Sequence, residues 1–325
     1  MYDHRDLGLQ NTKRMFERAY AEGYAVPALN FVSIEQFNAI IDACGDRRSP
    51  VILLASPNLH RQLGAEMLAR IAQSGVERLR REVAGDVPVA LHLDHGMSYE
   101  QCVHAVETGF SSVMIDGSAL PFEQNVELTR KVADYAHARV ITVEGELGML
   151  AGAEEEGADS HAASQYTDPA QAEAFVQQTG VDSLAISIGT CHGLVKLRPN
   201  PDGTLPELRF DILGEVARRL PGFPIVLHGA SAIPPKYVAM INAYGGKLEE
   251  TAGIPEEQVS RAARMAVCKV NIASDGWISA LALTRKILAE NPSAIDSRVF
   301  TLKVRPELAE LYRHKIDVLG SNGKA

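Results

Sequence analysis

The sequence predicts an α/β protein, a (β/α)8 TIM barrel with a C-terminal helical extension. Three observations carry this. There are eight short apolar runs of strand length, and a segment with helical apolar spacing follows each one. Several runs are also continuously apolar, as a strand buried on both faces must be. The main competitor, an open doubly wound sheet, normally carries a Gly-rich phosphate turn after its first strand. Here ALNFVS follows the first strand and holds no glycine. Residues 1–325 are expected to form one barrel domain, with 292–325 as the extension packing outside the barrel or on a neighbouring subunit.

The first run, YAVPALNF (24–31), precedes Ser33, a helix N-cap with Gln36 at the capping-box position. Ile34, Phe37, Ile40, Ile41 and Cys44 then recur at helical spacing, and Gly45 is the expected stop. The cycle continues with strands at 50–56, 87–94, 111–116, 139–146, 182–189, 223–229 and 268–274. The helices expected between and after them are 65–83, 99–108, 122–138, 169–179, 212–220, 235–244, 256–266 and 277–289. No linker, low-complexity tract or short repeat interrupts the series.

Composition bounds the partners. Of 325 residues, 46% are hydrophobic and 22% charged, enough apolar matter for a large core and against disorder as the main state. The net charge of −9 argues against a general nucleic-acid or anionic-membrane surface and leaves room for a local phosphate pocket. No stretch reaches the ~18 apolar residues of a membrane span, and MYDHRDLGLQ has no apolar signal core. Cys44, Cys102, Cys191 and Cys268 lie far apart without a CxxC pair, which suits a reducing cytoplasm.

In such a barrel the strand C-termini form the active face. All eight expected ends carry polar or glycyl residues: Asn30, Ser56, Asp94-His95, Asp116, Glu144 and Glu146, Thr190 to Gly193, His228 to Ser231, and Asn271 to Ser274. His95, His192 and His228 thus come from three separate strands, a set suited to a catalytic divalent metal. Taken singly, each is equally readable as a capped or core histidine. His4, His60, His104, His137, His161 and His314 read as surface, and His92 as either site-lining or core. Asp94 is a candidate proton acceptor or an orienter of His95, and Asp116 and Glu146 are candidate metal ligands, orienters or helix caps. The HGAS turn and the Asn271-Ile272-Ala273-Ser274 helix start read as an anion site. The loop LGMLAGAEEEGADSHAASQ reads as a lid carrying acids.

With LHLDHG, VMIDGSALPFEQN, VEGELG, IGTCHG, VLHGAS and KVNIAS in this order, the chain from about Gly23 to Ala289 resembles the class II, zinc-dependent ketose-bisphosphate aldolases, which include fructose- and tagatose-bisphosphate aldolases. YGGKLEETAGIPEEQV is similar to the longer fructose-bisphosphate branch. The resemblance implies catalytic Zn2+ on His95, His192 and His228, a second divalent position at Asp116 and Glu146, and a monovalent cation near the phosphate. It implies proton transfer by Asp94 and, at C3, by Glu154 of the lid. It places substrate on Asn30, Ser56, Gly193, Gly229, Ala230, Ser231, Asn271, Ile272, Ala273 and Ser274. It also implies a small phosphorylated sugar substrate and a homo-oligomer, dimer or tetramer. Four positions depart from the family pattern: Ala230 for glycine, Cys191 for serine, Ala273 where fructose-bisphosphate members carry Asp and tagatose members Ala, and Trp277 where many carry an Arg for the distal phosphate.

The expected activity is therefore reversible cleavage of a ketose 1,6-bisphosphate to dihydroxyacetone phosphate and an aldehyde through a zinc-stabilised enediolate, with no lysine Schiff base. The alternatives are the same chemistry on another ketose 1-phosphate, a non-catalytic phosphosugar-binding protein on the same barrel, and a zinc hydrolase.

Overall fold

The computed structural model describes residues 2–152, 165–197, 200, 204–249 and 251–325. The chain opens with helix α1 (Lys13–Glu22), followed by β1 (Val26–Asn30), α2 (Ile34–Arg47), β2 (Val51–Ala55), α3 (Pro57–Leu63), α4 (Ala65–Glu82), β3 (Val89–Gly96) and α5 (Tyr99–Glu107). Next come β4 (Ser112–Ile115), α6 (Phe122–His137), β5 (Thr142–Leu147), α7 (Pro169–Thr179), β6 (Ser183–Ile186) and α8 (Phe210–Arg219). The last are β7 (Ile225–Leu227), α9 (Pro235–Ala243), α10 (Glu256–Ala263), β8 (Val267–Ile272), α11 (Ser274–Glu290) and α12 (Arg298–Val318). The eight strands pair in parallel in chain order, and β8 returns to β1 through the register Ala28↔Asn271, so the sheet is a closed barrel. No described helix is long and apolar enough to cross a membrane.

Two apolar bodies hold this together. The larger fills the layer between strands and outer helices, with residues such as Leu29, Leu53, Leu91, Val113 and Val143 facing outward from the sheet. The smaller joins Met15, Phe16 and Ala19 of α1 to Val26, Ala28, Ile52, Leu54 and Ala90 inside the barrel. The Gln10 N–H donates to the Val89 carbonyl at the start of β3, and Thr12 and Thr142 hydroxyls meet at 2.8 Å at the start of β5. Thus α1 closes the end where strands begin, and only the end where they finish is left for chemistry.

Several local expectations are corrected. Neither α1 nor α3 was expected, although Met15, Phe16 and Ala19 share one helical face and Ser56-Pro57 is an N-cap followed by proline at N1. Gly45 does not stop α2. A Cβ there would meet Leu79 and Val83 at 3.2 Å, so the glycine lets α2 seat against α4, and Arg48 at φ 46° ends the helix instead. Arg139 and Val140 belong to the turn after α6, with Val140 at φ 60°. His4 and His60 are not surface: His4 is buried, and the His60 ring packs at 5.3 Å from His104 and 6.0 Å from Phe110. His161 lies outside the described residues.

The extension carries α12, which lies along α2 and α11 of its own chain. Asp42 of α2 pairs with Arg305 at 2.6 Å and with Arg78 of α4, and Arg313 reaches Asp46 at 2.8 Å.

Candidate active site

Side chains alternate across a strand, so residues two apart share a face. That rule puts Asn30, His92 and Asp94, Glu144 and Glu146, and Lys269 and Asn271 on the barrel interior, above the apolar plug. All are buried. Lys269, wholly buried, reaches the Glu144 carboxylate at 2.8 Å and lies 3.4 Å from His92 Nε2, whose Nδ1 meets the Ser112 hydroxyl at 2.8 Å. Burial, reinforced by Lys269, pushes His92 well below its usual value, so this ring is neutral core. Burial alone would push Glu144 up, but Lys269 and the His228 bond outweigh it and hold the carboxyl well below the ordinary range.

The same alternation would send Asp94 and His95 to opposite faces. The register between β3 and β4 shifts between Leu93 and Gly96, and His95 takes φ 51°. This left-handed step, which costs an L-residue roughly 1–2 kcal/mol, brings two consecutive side chains to one place. Ligand atoms of Asp94, His95 and His228 lie within 4.8 Å of one another, as do those of His95, Asp116 and Glu146. The Asp94 carboxylate accepts the Asn30 amide at 3.0 Å on one oxygen and the Asn271 amide at 2.9 Å on the other, which fixes its direction.

The imidazoles are oriented by carboxylates. His95 Nδ1 lies 2.8 Å from Asp116, and His228 Nε2 lies 2.8 Å from Glu144. Assigning the proton on each ring to the nitrogen that faces its carboxylate makes His95 Nε2 and His228 Nδ1 the acceptor nitrogens, and these face one another at 3.0 Å. Two imidazole acceptors converging with carboxylate oxygens are a donor set that fits a divalent metal, with Asp94 or Glu146 adjacent. His228 Nδ1 is 3.7 Å from Glu146. Asp116 sits well below its ordinary value: burial opposes this, and the His95 and Ser118 bonds prevail. The His192 ring stands edge-on to His95 with centroids 5.3 Å apart, but His192 is in neither group of converging ligand atoms among the described residues. Its backbone N–H donates to the Ala151 carbonyl at 2.8 Å, tying the loop after β6 to the loop after β5.

The expected anion site lies on the same rim. Gly193 and Gly229 have φ 79° and 64°, and a Cβ at Gly229 would stand 2.6 Å from the Cys191 carbonyl oxygen, so only glycine fits there. Ala230 is not among the positive-φ residues, so alanine carries no backbone strain at the departed position. Ser231 is buried, Asn271 and Ile272 end β8, Ala273 is the N-cap of α11, and Ser274 is its first residue; no side chain caps that helix start. Ser56, beside the site, spends its hydroxyl on the Leu59 N–H as the α3 cap. Glu154 falls outside the described residues.

Sequence reasoning left Lys269 out of the site and gave Glu144, though it stood at the expected end of the fifth strand, no role. Lys269 was signalled by a lone charge inside the apolar run VCKVNI, two residues from Asn271, and Glu144 by its spacing from Glu146.

The model of the family described as fructose-bisphosphate aldolase class-II matches residues 10–324. A fructose-bisphosphate aldolase of Treponema pallidum (strain Nichols) is 52% identical over 335 residues, covering 100% of both chains. One from Thermus caldophilus is 38% identical, covering 96% of this chain and 98% of its own. Among solved structures, the YdjI aldolase of Escherichia coli K12 superposes with a TM-score of 0.72 at 28% identity, covering 98% of this chain and 99% of that one. A closed eight-strand barrel with its imidazoles and carboxylates gathered at one rim, matched along nearly its whole length, belongs to the class II fructose-bisphosphate aldolase family.

Proposed function

We propose that this aldolase reversibly cleaves fructose 1,6-bisphosphate to dihydroxyacetone phosphate and glyceraldehyde 3-phosphate, with zinc held by His95, His228 and His192. The observation that carries the reading is the 3.0 Å approach of two imidazole nitrogens whose ring partners are each tied to a carboxylate, with Asp94 beside them. When bound, the metal would supply Lewis acidity toward the substrate carbonyl. Asp116 and Glu146 stand where a second divalent ion would find oxygen ligands, since both lie within reach of His95.

The chain's own residues do the rest. Asn30 and Asn271 aim Asp94, which takes the C4 hydroxyl proton as the C3–C4 bond breaks and returns it in condensation. By the family resemblance, Glu154 handles the proton at C3. Gly193, the 229–231 turn and the 271–274 segment hold the phosphate of the dihydroxyacetone half, with the positive end of α11 contributing; the family resemblance adds a monovalent cation beside that phosphate. Four buried cysteines suit a reducing cytoplasm, and the family resemblance points to a dimer or tetramer.

The test is release of dihydroxyacetone phosphate from fructose 1,6-bisphosphate, together with metal analysis of the purified protein. Activity should vanish with a strong chelator, return with zinc, and survive borohydride treatment in the presence of substrate. Inactivation by borohydride alone would reject the metal route. Ala273 and Trp277 favour a second reading, a different ketose phosphate, because the α11 cap offers the distal sugar no carboxylate and no guanidinium. A higher kcat/KM on tagatose 1,6-bisphosphate than on the fructose substrate would select it.

A further inference from the structure

We propose that Lys315, on the C-terminal helix α12, is a positioning residue for the substrate's phosphate, acting from behind the loop that follows β7. The proposal rests on the reading that residues 229–231 hold phosphate.

The loop after β7 is shaped by one buried carboxylate. Asp275, wholly buried in the first turn of α11, accepts the Ile233 N–H at 2.7 Å on one oxygen and the Ala232 N–H at 3.0 Å on the other. Ile233 is held at φ 47°, a conformation that a β-branched residue adopts only when its surroundings impose it. From the other side, the Ile254 N–H donates to the Ser231 carbonyl at 3.0 Å, and Gly253 crosses so close to the Ala232 carbonyl that no Cβ could be accommodated. Ser231, Ala232 and Ile233 are therefore set by bonds made outside the site, and Gly229 and Ala230 follow from them.

A buried carboxylate of this kind needs a counter-charge. Lys315 supplies it: its Nζ lies 2.6 Å from Asp275 and 2.6 Å from Glu256, whose other oxygen lies 2.7 Å from His314 Nε2. Burial works against the Lys315 charge, but Asp275 and Glu256 together hold the ammonium above its ordinary value. Lys315 borders a cleft of about 890 Å³ on the outer side of the loop, along with Ala232, Ile233 and Glu256. Without the ammonium, the buried Asp275 carboxylate loses its counter-charge, its hold on the two amides changes, and the strained Ile233 backbone relaxes into the turn that meets phosphate.

The experiment uses full-length, zinc-loaded protein and measures inorganic phosphate binding by calorimetry, KM and kcat on fructose 1,6-bisphosphate, and the thermal midpoint. Lys315→Met should weaken phosphate binding and raise KM by about tenfold, the equivalent of one hydrogen bond to a charged group, while kcat falls less than twofold. Lys315→Arg should restore most of the loss. The double variant Asp275→Asn/Lys315→Met removes both charges, keeps an amide oxygen for one loop N–H, and should bind phosphate within about threefold of wild type. It also serves if the single variant does not fold. A Lys315→Met protein with lowered midpoint but unchanged phosphate affinity and KM overturns the proposal, as does a double variant that folds yet binds phosphate tenfold more weakly. Failure of wild type to bind phosphate would instead refute the underlying phosphate-site reading.

Discussion

Replacing Lys269 by methionine keeps most of the side-chain length and deletes the ammonium that pairs with Glu144 beneath the candidate metal site. Lys269 and Glu144 are both buried and 2.8 Å apart, and the other Glu144 oxygen holds His228. Removing one member of a buried pair typically costs ~3–5 kcal/mol, because the remaining charge is stranded. With a urea m-value near ~3 kcal/mol/M, the unfolding midpoint should drop by ~1–1.7 M. The measurement is urea unfolding of metal-free protein at neutral pH, so that metal binding to the folded state does not mask the loss. Adding Glu144→Gln should recover at least ~2 kcal/mol, since neutral partners of similar shape carry no such penalty. A Lys269→Met midpoint within about 0.3 M of wild type, or a double variant no more stable than the single one, would show that Lys269 does not offset the buried Glu144 charge.

Asp94→Ala should lower kcat by ~10²–10⁴-fold, the usual worth of a positioned proton-transfer group, with zinc content unchanged by metal analysis. Gly229→Ala should cost ~1–2 kcal/mol from its left-handed backbone, plus the overlap with the Cys191 carbonyl, and raise KM in steady-state assays. Ala230→Gly should leave KM within a factor of two, because that backbone is already relaxed. Burial would raise the Glu256 carboxyl, but Lys315 and His314 bring it below its ordinary value of 4.5. Its pairing therefore stabilises the fold above that value and is lost as pH falls through the lower folded value, so the thermal-midpoint gap between wild type and Glu256→Gln should close on acidification.

The eight βα units were legible because burial imposes a period on each strand and each helix, and periods survive in one dimension. Helix α1 was passed over because it precedes the first strand and belongs to no βα unit, although its Met15, Phe16 and Ala19 face is apolar. The Gly45 stop failed because tight packing against Leu79 and Val83, not chain termination, explains that glycine. At the site, the histidines were legible as strand ends, and the carboxylates that orient them were less so. Whether Glu144 reaches His228 or Lys269 depends on which strands face each other across a closed barrel, which no local pattern encodes. The Asp275–Lys315 pair spans forty positions and two helices, and neither residue is marked by its neighbours.

The backbone twist at His95 makes this imidazole expensive to keep and easy to lose. Asparagine and glycine both tolerate that conformation better than histidine does. A single replacement by either would ease the main chain while discarding the ring that both clusters of ligand atoms share. Selection for robustness alone would therefore erode this position first, and a descendant barrel freed from its reaction should be recognisable by a small residue here, with the surrounding amides and carboxylates still in place.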